Sequence, residues 1–433
     1  MTHKKIYGVH DAKTLAQLDR CLAIGSAAAG VLCADGHLGY AHPIGGVVGY
    51  TDHISISGVG FDIACGNMAV RLDAKFADIK AQAGVILQDV AKHVSFGVGR
   101  KNAEKVDHDL FDSDLWNEAG VPSLKEMARA QLGTVGSGNH YVDLFEDEDG
   151  FVWIGVHFGS RGLGHKITTK YLAAAGAKDG MEVDPALIPA DSDLGRGYSA
   201  GVELGGLYAY AGREWVVEKV RSIIGGDVTF SVHNHHNFVW HETHDGVPMW
   251  VVRKGATPAF PGQFGFVGGS MGDDAVILRG IESEASKASL YSTVHGAGRV
   301  MSRSQATGRT STMALCTAEG CGFQIPYMEF EKARADAGLK QGAQFTLCPQ
   351  HPTGAMRKVK LRTQGAIRHD EWKAWVADKG VMLIGGGVDE APQAYRRLPD
   401  VLAAHAGTIE IVHRLRPFGV IMAGENEFDP FKD

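Results

Sequence analysis

The sequence lacks the features that mark several broad classes of protein. It has only 6 cysteines in 433 residues, and their spacing does not match a disulfide framework. Its most prominent apolar run, residues 21–34, is rich in glycine and alanine and is too short to span a bilayer. We find no convincing signal peptide and no repeat of fixed period. We therefore expect a cytoplasmic protein and not a secreted, membrane-spanning or repeat protein.

Positive charge is also in short supply. With 43 lysines and arginines against 50 aspartates and glutamates, the formal net charge is −7. The chain therefore has no overall basic field that would attract nucleic acid. A polyanionic partner would have to be held by a local cluster of cations or by bound metal ions. This balance disfavours a nonspecific nucleic-acid coat protein but allows an enzyme that acts on nucleic-acid ends.

Glycine is abundant, and its distribution indicates the class of fold. The 57 glycines form irregular clusters, such as GSGN, GSRGLG, GGSMG and HGAG, between apolar runs that look like strands. Strand-like runs cover residues 152–156, 228–232, 250–253, 381–384, 408–412 and 420–422. Helical patterns cover residues 123–132, 213–224 and 389–404. Because strands and helices do not alternate steadily, we predict an α+β fold with extensive sheet.

Residues 310–362 are more polar than the rest of the chain, and we interpret them as an insertion. They contain two pairs of metal-ligand residues, which are Cys316 with Cys321 and Cys348 with His351. This spacing fits a structural zinc site. The alternative is a loop with three unpaired cysteines. A basic run follows the second ligand pair and consists of Arg357, Lys358, Lys360 and Arg362. It could contact RNA or a partner protein, and a solvated face explains these charges equally well.

Five short motifs offer further metal ligands, and most follow a strand-like run or lie in a glycine-rich turn. Imidazoles, carboxylates and one thiol together suit a divalent ion of the middle transition series. The candidates are Asp62 and Cys65 in GFDIACGN, Asn139, His140 and Asp143 in GSGNHYVD, His157 in VWIGVHFG, His233, His235 and His236 in VHNHHNFV, and His295 in HGAGR. In a strand, His235 and His236 would point to opposite faces, so only one of them is expected in the site. The residues alone leave open which one it is.

His295 begins an unusual stretch, HGAGRVMSR. The small residues at 296–298 allow backbone N–H groups to approach a ligand closely. Arg299 and Arg303 are four residues apart, and both could reach a phosphate. The alternative interpretation of this segment is a tight turn followed by the basic start of a helix.

Taken together, the motifs resemble those of the RtcB-type RNA ligases, in the same order along nearly the whole chain. They are ADGHLGYAHPIGGV, GVGFDIACGN, GSGNHYVDL, HFGSRGLGH, HHNFV, RKGATPAFPG, GSMGDDAV, HGAGRVMSR and a C-terminal helix, DEAPQAYRRL. The resemblance implies one large α+β domain over residues 1–433, with extensive sheet around a deep metal-lined cleft and the insertion as a small knob. It also implies an enzyme of RNA repair or tRNA splicing that joins an RNA 2′,3′-cyclic phosphate or 3′-phosphate to a 5′-hydroxyl. Two manganese ions and GTP are the cofactors it implies, and it leaves open whether a protein partner assists.

The resemblance also assigns roles to individual residues. Asp62, Cys65 and His140 correspond to the ligands of one manganese. Cys65, His157 and His236 correspond to the ligands of the second, so Cys65 would bridge the ions. His295 corresponds to the histidine that attacks the α-phosphate of GTP and passes GMP to the RNA 3′-phosphate. The expected GTP contacts are Asn139, Asp143, Asn237, Gly269, Ser270, Met271, Gly296, Ala297, Gly298, Arg299 and Tyr395, and the candidates for RNA phosphate contacts are Arg161, Arg213 and Arg303.

The departures from the family pattern lie around the nucleotide and not around the metals. Ala423 stands in place of a lysine that contacts guanine, and Ala275 replaces a serine. Asp143 shortens a glutamate, and Gly212 replaces an asparagine. Loss of a donor that reads a base edge weakens discrimination, so we expect relaxed or altered nucleotide selectivity. The alternatives to ligation are a nucleotidyltransferase that caps 3′-phosphate ends and a non-catalytic RNA-binding relative.

Overall fold

The computed structural model describes residues 3–339, 348–351, 354–425 and 427. They divide into two compact units. The large unit contains the described residues up to Val300 and from His369 onward, and the small unit contains those from Met301 to Arg368. None of the helices in these residues combines the length and the apolar character that a membrane span requires.

Strands are distributed along the whole chain. They are β1 (His3–Ile6), β2 (Ala27–His37), β3 (Ile44–Tyr50), β4 (His53–Ser55), β5 (Gly66–Lys75), β6 (Ser95–Phe96), β7 (Thr134–Gly136), β8 (Tyr141–Glu146), β9 (Phe151–Phe158), β10 (Leu187–Pro189), β11 (Val228–His235), β12 (Asn237–His244), β13 (Val247–Lys254), β14 (Ala256–Pro258), β15 (Phe264–Val267), β16 (Ala275–Gly280), β17 (Ser292–Val294), β18 (Thr310–Cys316), β19 (Gln324–Pro326), β20 (Met356–Arg362), β21 (Met382–Gly386) and β22 (Ile409–Gly424).

Helices lie between these strands. They are α1 (Ala12–Ala23), α2 (Ile56–Val59), α3 (Phe76–Ile79), α4 (Ala83–His93), α5 (Leu115–Glu118), α6 (Lys125–Gln131), α7 (Arg161–Ala174), α8 (Asp193–Ile224), α9 (Glu284–Ala288), α10 (Arg303–Thr307), α11 (Tyr327–Asp336), α12 (His369–Asp378) and α13 (Leu398–Ala403). Short 3₁₀ turns cover Lys80–Gln82, Asp109–Asp112, Pro122–Leu124, Val388–Glu390 and Pro392–Ala394. The mixture of helix and sheet without a regular βα alternation confirms the α+β prediction.

The largest sheet has the strand order β11-β5-β9-β8-β22-β16-β15, and β21 pairs with β22. It nearly closes on itself, because the side chain of Asn234 in β11 accepts a hydrogen bond from the backbone N–H of Phe266 in β15 at 3.3 Å. Side chains alternate between its two faces, as the strand period requires. Trp153 and Phe266 belong to a buried cluster on one face, while Ile154 packs with the neighbouring strands on the other.

Helix α8 covers part of the large sheet. Val216, Val217 and Val220 near its C-terminal end are buried in the same cluster as Ile154. The helix begins at Ser192, whose side chain accepts a hydrogen bond from the backbone N–H of Gly195, and ends at Gly225 with a positive φ. A second sheet, with the order β1-β2-β3-β13-β12, packs on helix α1, and Leu18 of the helix belongs to the same buried cluster as Leu32 of β2.

One sequence-based expectation about a helix was wrong. The helix predicted over 389–404, which includes DEAPQAYRRL, is two 3₁₀ turns followed by the short α13. Pro392 and Pro399 explain the break, since proline has no N–H to donate and its ring clashes with the preceding turn. The helix predicted over 213–224 is confirmed as the C-terminal part of α8, which begins much earlier, at Asp193.

The small unit contains a three-stranded antiparallel sheet with the order β19-β18-β20, together with α10 and α11. Its bounds enclose the range 310–362 that the sequence analysis interprets as an insertion. Met313 of the central strand pairs with Pro326 on one side and with Val359 on the other.

Candidate metal centre and nucleophile

Adjacent strand ends of the large sheet bring the candidate ligands together. In the antiparallel pairing, Asn67 at the start of β5 lies opposite His157 near the end of β9. His157 also lies opposite Tyr141, the residue after His140. On the other side of β5, Gly66 lies opposite His235, next to His236. Residues separated by many positions in the sequence therefore meet at one end of the sheet.

The first group of ligands consists of Asp62, Cys65 and His140. The Nε2 atom of His140 lies 3.1 Å from Oδ2 of Asp62 and 3.7 Å from Sγ of Cys65. The second group consists of Cys65, His157 and His236, and Nε2 of His157 lies 3.3 Å from the same sulfur. In each group the ligand atoms lie within 4.8 Å of one another. Cys65 belongs to both groups, so two ions held here would share its sulfur.

Backbone carbonyls orient two of the imidazoles. Nδ1 of His140 lies 3.0 Å from the carbonyl oxygen of Val135, and Nδ1 of His157 lies 2.9 Å from that of Asn139. With the proton on Nδ1 donated to a carbonyl, Nε2 presents its lone pair to a metal ion. Nδ1 of His236 is buried and has no hydrogen-bond partner within the described residues.

The protonation states in this pocket also suit a cation. Burial alone would raise the pKa of the Asp62 carboxyl, but the hydrogen bond and charge of His140 hold it at about 2. Burial lowers the pKa of His157 to about 3, so this imidazole is neutral. Burial and the Asp62 carboxylate both raise the pKa of the Cys65 thiol, so a thiolate here requires a positive ion nearby. One carboxylate, one thiol and three imidazoles fit a pair of divalent transition-metal ions.

The loop that carries Cys65 is held in a strained conformation. Ala64 has a φ of 58°, in the left-handed region that a non-glycine residue rarely adopts. Its N–H donates to the carbonyl of Asn237 at 2.7 Å, and its carbonyl accepts from the Arg213 guanidinium at 3.1 Å. Close by, a Cβ atom at Gly159 would collide with the Asp62 carboxylate. These contacts fix the positions of the thiol and the carboxylate before any ion binds.

Arg213 is therefore not available to RNA, and the sequence-based assignment of a phosphate contact to it needs correction. Its side chain is fully buried. Besides Ala64, it donates to the carbonyl of Phe158 at 2.6 Å and to Nε2 of His233 at 2.8 Å. Another of its nitrogens lies 3.0 Å from Nδ1 of His235. All of these contacts support the loop and strand beneath the metal ligands.

The neighbouring histidines His235 and His236 of the motif VHNHHNFV point in different directions. His235 bonds to Arg213 and stacks on Tyr210 with ring centroids 4.0 Å apart, so it faces away from the clustered ligands. His236 faces them, with its ring centroid 5.2 Å from that of His157. His235 ends β11 and His236 lies between β11 and β12, and only His236 faces the cluster, which agrees with the expectation that only one of the two enters the site.

His295 lies directly beside the second group of ligands. It follows β17, and its ring meets that of His236 edge to face with the centroids 4.9 Å apart. Its Nδ1 lies 2.6 Å from Oδ2 of Asp35, and its backbone N–H donates to the same oxygen at 2.9 Å. Asp35 is fully buried, and although burial opposes ionisation, His295 lowers the pKa of its carboxyl. Nε2 of His295 is thus the ring nitrogen that remains for chemistry.

Arg299 lies in the same loop, and its charge is balanced by Glu390. The guanidinium donates to Oε2 of Glu390 at 3.1 Å, to the Tyr395 hydroxyl at 2.9 Å and to the carbonyl of Asp389 at 2.8 Å. Asp389 and Glu390 line a small pocket with Gly386 and Ala423. Two of the candidate nucleotide contacts, Arg299 and Tyr395, therefore both bind Glu390, which lines this pocket together with the substituted position Ala423.

The remaining candidate nucleotide contacts are spread around this region. Asn237 bonds to the carbonyl of Asp62 at 3.3 Å and to the N–H of Gly255 at 2.7 Å. Ser270 donates to Asp273 at 2.6 Å, and Met271 accepts from the Trp372 indole at 3.1 Å. The other positions lie in or beside the loops already described and are Asn139, Gly269, Gly296, Ala297 and Gly298.

The substituted positions lie in different environments. Ala275 begins β16 and is buried in the apolar cluster with Trp153 and Phe266. Burial raises the pKa of Asp143 in β8, and one of its carboxyl oxygens has no hydrogen-bond partner within the described residues. Ala423 alone among these four positions lines the pocket. Gly212 lies inside α8.

Two arginines proposed for RNA phosphates lie outside the ligand clusters. Arg161 begins α7 with a φ of 55°, and one nitrogen of its guanidinium lies 3.2 Å from Nδ1 of His140. Its guanidinium therefore lies beside the candidate metal ligand His140. Arg303 begins α10 in the small unit.

Sequence reasoning missed the role of Asp35 and of Arg396. Arg396 donates to the backbone carbonyls of Asp35 and Gly36 at 3.1 and 3.0 Å, and so fixes the strand end that carries the carboxylate. One signal was present: Asp35 is a charged residue at the end of the apolar run 27–34, and charged residues are seldom fully buried unless they are paired.

Comparison with known proteins defines the class. The family model described as tRNA-splicing ligase RtcB matches residues 14–121 and 116–320. The chain belongs to the RtcB family, which confirms the resemblance drawn from its motifs. The match spans every residue of the two ligand groups as well as His295.

Individual relatives carry the same description. The chain is 29% identical to tRNA-splicing ligase RtcB of Archaeoglobus fulgidus, over 90% of this chain and 87% of the relative. It is 33% identical to RNA-splicing ligase RtcB1 of Escherichia coli, over 63% of this chain and 74% of the relative. For tRNA-splicing ligase RtcB of Methanococcus maripaludis the identity is 32%, over 63% of this chain and 73% of the relative.

Proposed function

We propose that this protein is an RNA ligase that joins a 2′,3′-cyclic phosphate or 3′-phosphate end to a 5′-hydroxyl end, using GTP. The observation that carries this proposal is the position of His295, whose ring contacts the metal ligand His236 while Asp35 holds its Nδ1. A nucleophilic imidazole beside two candidate metal positions is an arrangement that suits nucleotidyl transfer through a covalent intermediate. The family membership and the names of the relatives support the same function.

Manganese is the metal we assign to both positions. Asp62, Cys65 and His140 would hold one ion, and Cys65, His157 and His236 the other. When bound, the two ions neutralise the triphosphate and stabilise the charge that develops on phosphorus. A thiol-containing metal centre also needs a reducing compartment, which agrees with the expected cytoplasmic location.

The side chain of His295 carries the covalent step. With its Nδ1–H donated to Asp35, His295 presents the Nε2 lone pair to the α-phosphorus of GTP. A phosphorus–nitrogen bond forms and pyrophosphate leaves. The positive charge that develops on the imidazole is balanced by the buried Asp35 carboxylate, in the way that an aspartate supports the histidine of a hydrolase triad.

The guanylyl group then passes from His295 to RNA. An oxygen of the RNA 3′-phosphate displaces Nε2, which gives an RNA-3′-pp-5′-G end and regenerates the imidazole. The 5′-hydroxyl oxygen of the second end attacks the RNA-linked phosphorus, its proton is released and GMP leaves. The backbone N–H groups at Gly296–Gly298 and the guanidinium of Arg161 are the contacts we assign to phosphate oxygens during these steps.

The base of the nucleotide is assigned to the pocket lined by Glu390 and Ala423. Arg299 connects this pocket to His295, since it lies in the same loop and binds Glu390. A carboxylate at the pocket wall accepts hydrogen bonds from base N–H groups, whereas Ala423 offers no donor to a base oxygen. We therefore infer that discrimination in favour of guanine is weak.

Ala423 also supports a second candidate function. If the nucleotide is held loosely, transfer to the RNA end can occur without efficient joining, and the enzyme would cap 3′-phosphate ends. One assay separates these functions. The protein is incubated with manganese, GTP, an RNA that carries a labelled 3′-phosphate and a second RNA with a 5′-hydroxyl end, and the labelled products are resolved. We expect a joined product that is lost in His295→Ala. A capped but unjoined product would support the second function, and binding without any product would contradict both.

A further inference from the structure

The small unit contains a separate group of four metal-ligand residues. Cys316 is the last residue of β18, and Cys321 lies between β18 and β19. Cys348 and His351 precede β20, the strand that pairs with β18 on its other side. The ligand atoms of all four residues lie within 4.8 Å of one another. Three sulfurs and one imidazole thus meet at one end of the three-stranded sheet.

The details of this cluster point to a ligand that is bound by all four side chains. Sγ of Cys321 lies 3.4 Å from Sγ of Cys348, a contact without a bond, and the cysteines of the described chain form no disulfide. The backbone N–H of His351 donates to Sγ of Cys348 at 3.3 Å, which stabilises a thiolate. Nδ1 of His351 is buried and has no hydrogen-bond partner within the described residues. A buried nitrogen without a partner is costly unless something binds to it.

Gly354 leaves room for this arrangement. A Cβ atom at this position would lie 2.8 Å from Sγ of Cys316, too close for any side chain larger than hydrogen. The chain therefore closes around the sulfur of a buried cysteine.

The small unit also has little else to hold its fold. Apart from Cys316 and Cys348, its buried apolar side chains among the described residues are Ala306, Ala314, Phe330 and Ile367. Two of these are alanines. A unit with so small an apolar core usually depends on a metal or on disulfides for its stability.

We propose that Cys316, Cys321, Cys348 and His351 bind one structural zinc ion, and that this ion maintains the fold of the small unit independently of the metal pair beside His295. Three thiolates and one imidazole form a closed tetrahedral set, which selects zinc and leaves no position for substrate. The set beside His295 contains one thiol, one carboxylate and three imidazoles, and each of its groups has only three ligands. The two sites should therefore bind different metals with different affinities.

Metal analysis of the full-length protein tests this proposal. After purification without added zinc and dialysis against a chelator that removes loosely bound ions, we expect close to one zinc ion per chain. Cys316→Ser combined with Cys348→Ser should contain none, whereas Cys65→Ser should retain it. The matched control is Cys33→Ala, which removes a buried cysteine outside both sites and should also retain zinc.

A second readout reports on the fold of the small unit. Limited proteolysis should cut residues 301–368 rapidly once the zinc is stripped, and re-addition of zinc should restore protection. Cobalt bound to the wild-type protein should give the sulfur-to-metal charge-transfer absorption of a thiolate site. This readout does not depend on whether the double variant folds. Wild-type protein that lacks tightly bound zinc and shows no such absorption with cobalt would overturn the proposal, and so would zinc that is lost in Cys65→Ser but kept in the double variant.

Discussion

The Nδ1 atom of His295 lies 2.6 Å from Oδ2 of Asp35, a residue 260 positions earlier in the sequence. The carboxylate lies near the C-terminal end of β2 in one sheet, and the histidine follows β17, a short strand paired with β14. Because Asp35 is fully buried and also accepts the backbone N–H of His295, both the ring and the loop are fixed. This pair gives the imidazole one tautomer and one direction, which a nucleophile requires.

Asp35→Asn tests this positioning. An amide cannot balance the charge of the histidine intermediate, and it favours the wrong tautomer of His295. We expect the rate of guanylylation to fall by roughly 10²-fold or more, with the fold retained. The measurement is the rate of label transfer from α-labelled GTP to protein. Asp147→Asn, which alters a buried carboxylate that binds Arg71 at 2.8 Å, is the control and should keep the rate. Equal rates in both variants and the wild type would contradict a role for Asp35.

The two adjacent histidines provide a test of metal binding. His236→Ala removes a ligand from the group formed with Cys65 and His157. Loss of a residue that only hydrogen-bonds to a metal ligand lowers metal affinity by roughly 10- to 100-fold, so loss of the ligand itself should lower manganese affinity by more. His235→Ala removes contacts to Arg213, Tyr210 and Phe238 but no member of either ligand group, so it should leave the manganese stoichiometry unchanged. Isothermal titration with manganese measures both. Loss of manganese in His235→Ala alone would reverse our assignment.

Ala423 and Ala275 should differ in their effect on nucleotide choice. We expect the wild type to accept several α-labelled nucleoside triphosphates, and Ala423→Lys to favour GTP, because it returns a donor to the pocket. Ala275→Ser should leave the choice unchanged and lower the free energy of unfolding by about 1–3 kcal/mol, since it buries a hydroxyl in an apolar cluster. Exclusive and efficient labelling of the wild type by GTP would refute relaxed selectivity.

His405 should make the fold sensitive to acid. Burial lowers its pKa to about 4, against about 6.5 in an unfolded chain. The unfolded state therefore binds a proton that the folded state does not, so the contribution to stability is present above pH ~6.5 and is lost as the pH falls toward ~4. Within that window we expect a slope of about 1.4 kcal/mol per pH unit from this residue.

His405→Gln should remove this slope. Glutamine can still accept the N–H of Ala34, which Nε2 of His405 accepts at 3.2 Å, so the variant should fold. Urea unfolding of both proteins at several pH values gives the difference directly. Parallel curves for the wild type and the variant between pH ~4 and ~6.5 would contradict the assignment.

The sequence predicted the class of fold and a set of ligands because each of these depends on local patterns. Apolar runs ending in glycine-rich turns mark strand ends, and Cys65, His140 and His236 stand at such ends. The position of His235 at the end of β11 and of His236 just after it also separates the two side chains. Local patterns alone did not indicate which candidate ligands would bind the same ion. That division into two groups came from the resemblance of the motifs, in their order, to the RtcB-type ligases.

Features that depend on tertiary packing were not predictable in this way. The long helix α8 begins in a glycine-rich segment of low helix propensity. At Gly205 a Cβ atom would lie 2.8 Å from the Ile63 side chain, so close packing, and not propensity, explains the residue. The contact of Asp35 with His295 joins two sheets and has no local signature. Pro392 and Pro399 are visible in the sequence and argue against a continuous helix over 389–404, but the helical spacing of the apolar residues favours one.

The central claim is that His295 forms a covalent bond to the nucleotide, and intact-protein mass spectrometry tests it most directly. After incubation with manganese and GTP we predict a mass gain of one guanylyl group, located by peptide mapping at His295, labile to acid and absent from His295→Ala. An adduct on any other residue, or none in protein loaded with manganese, would contradict the account.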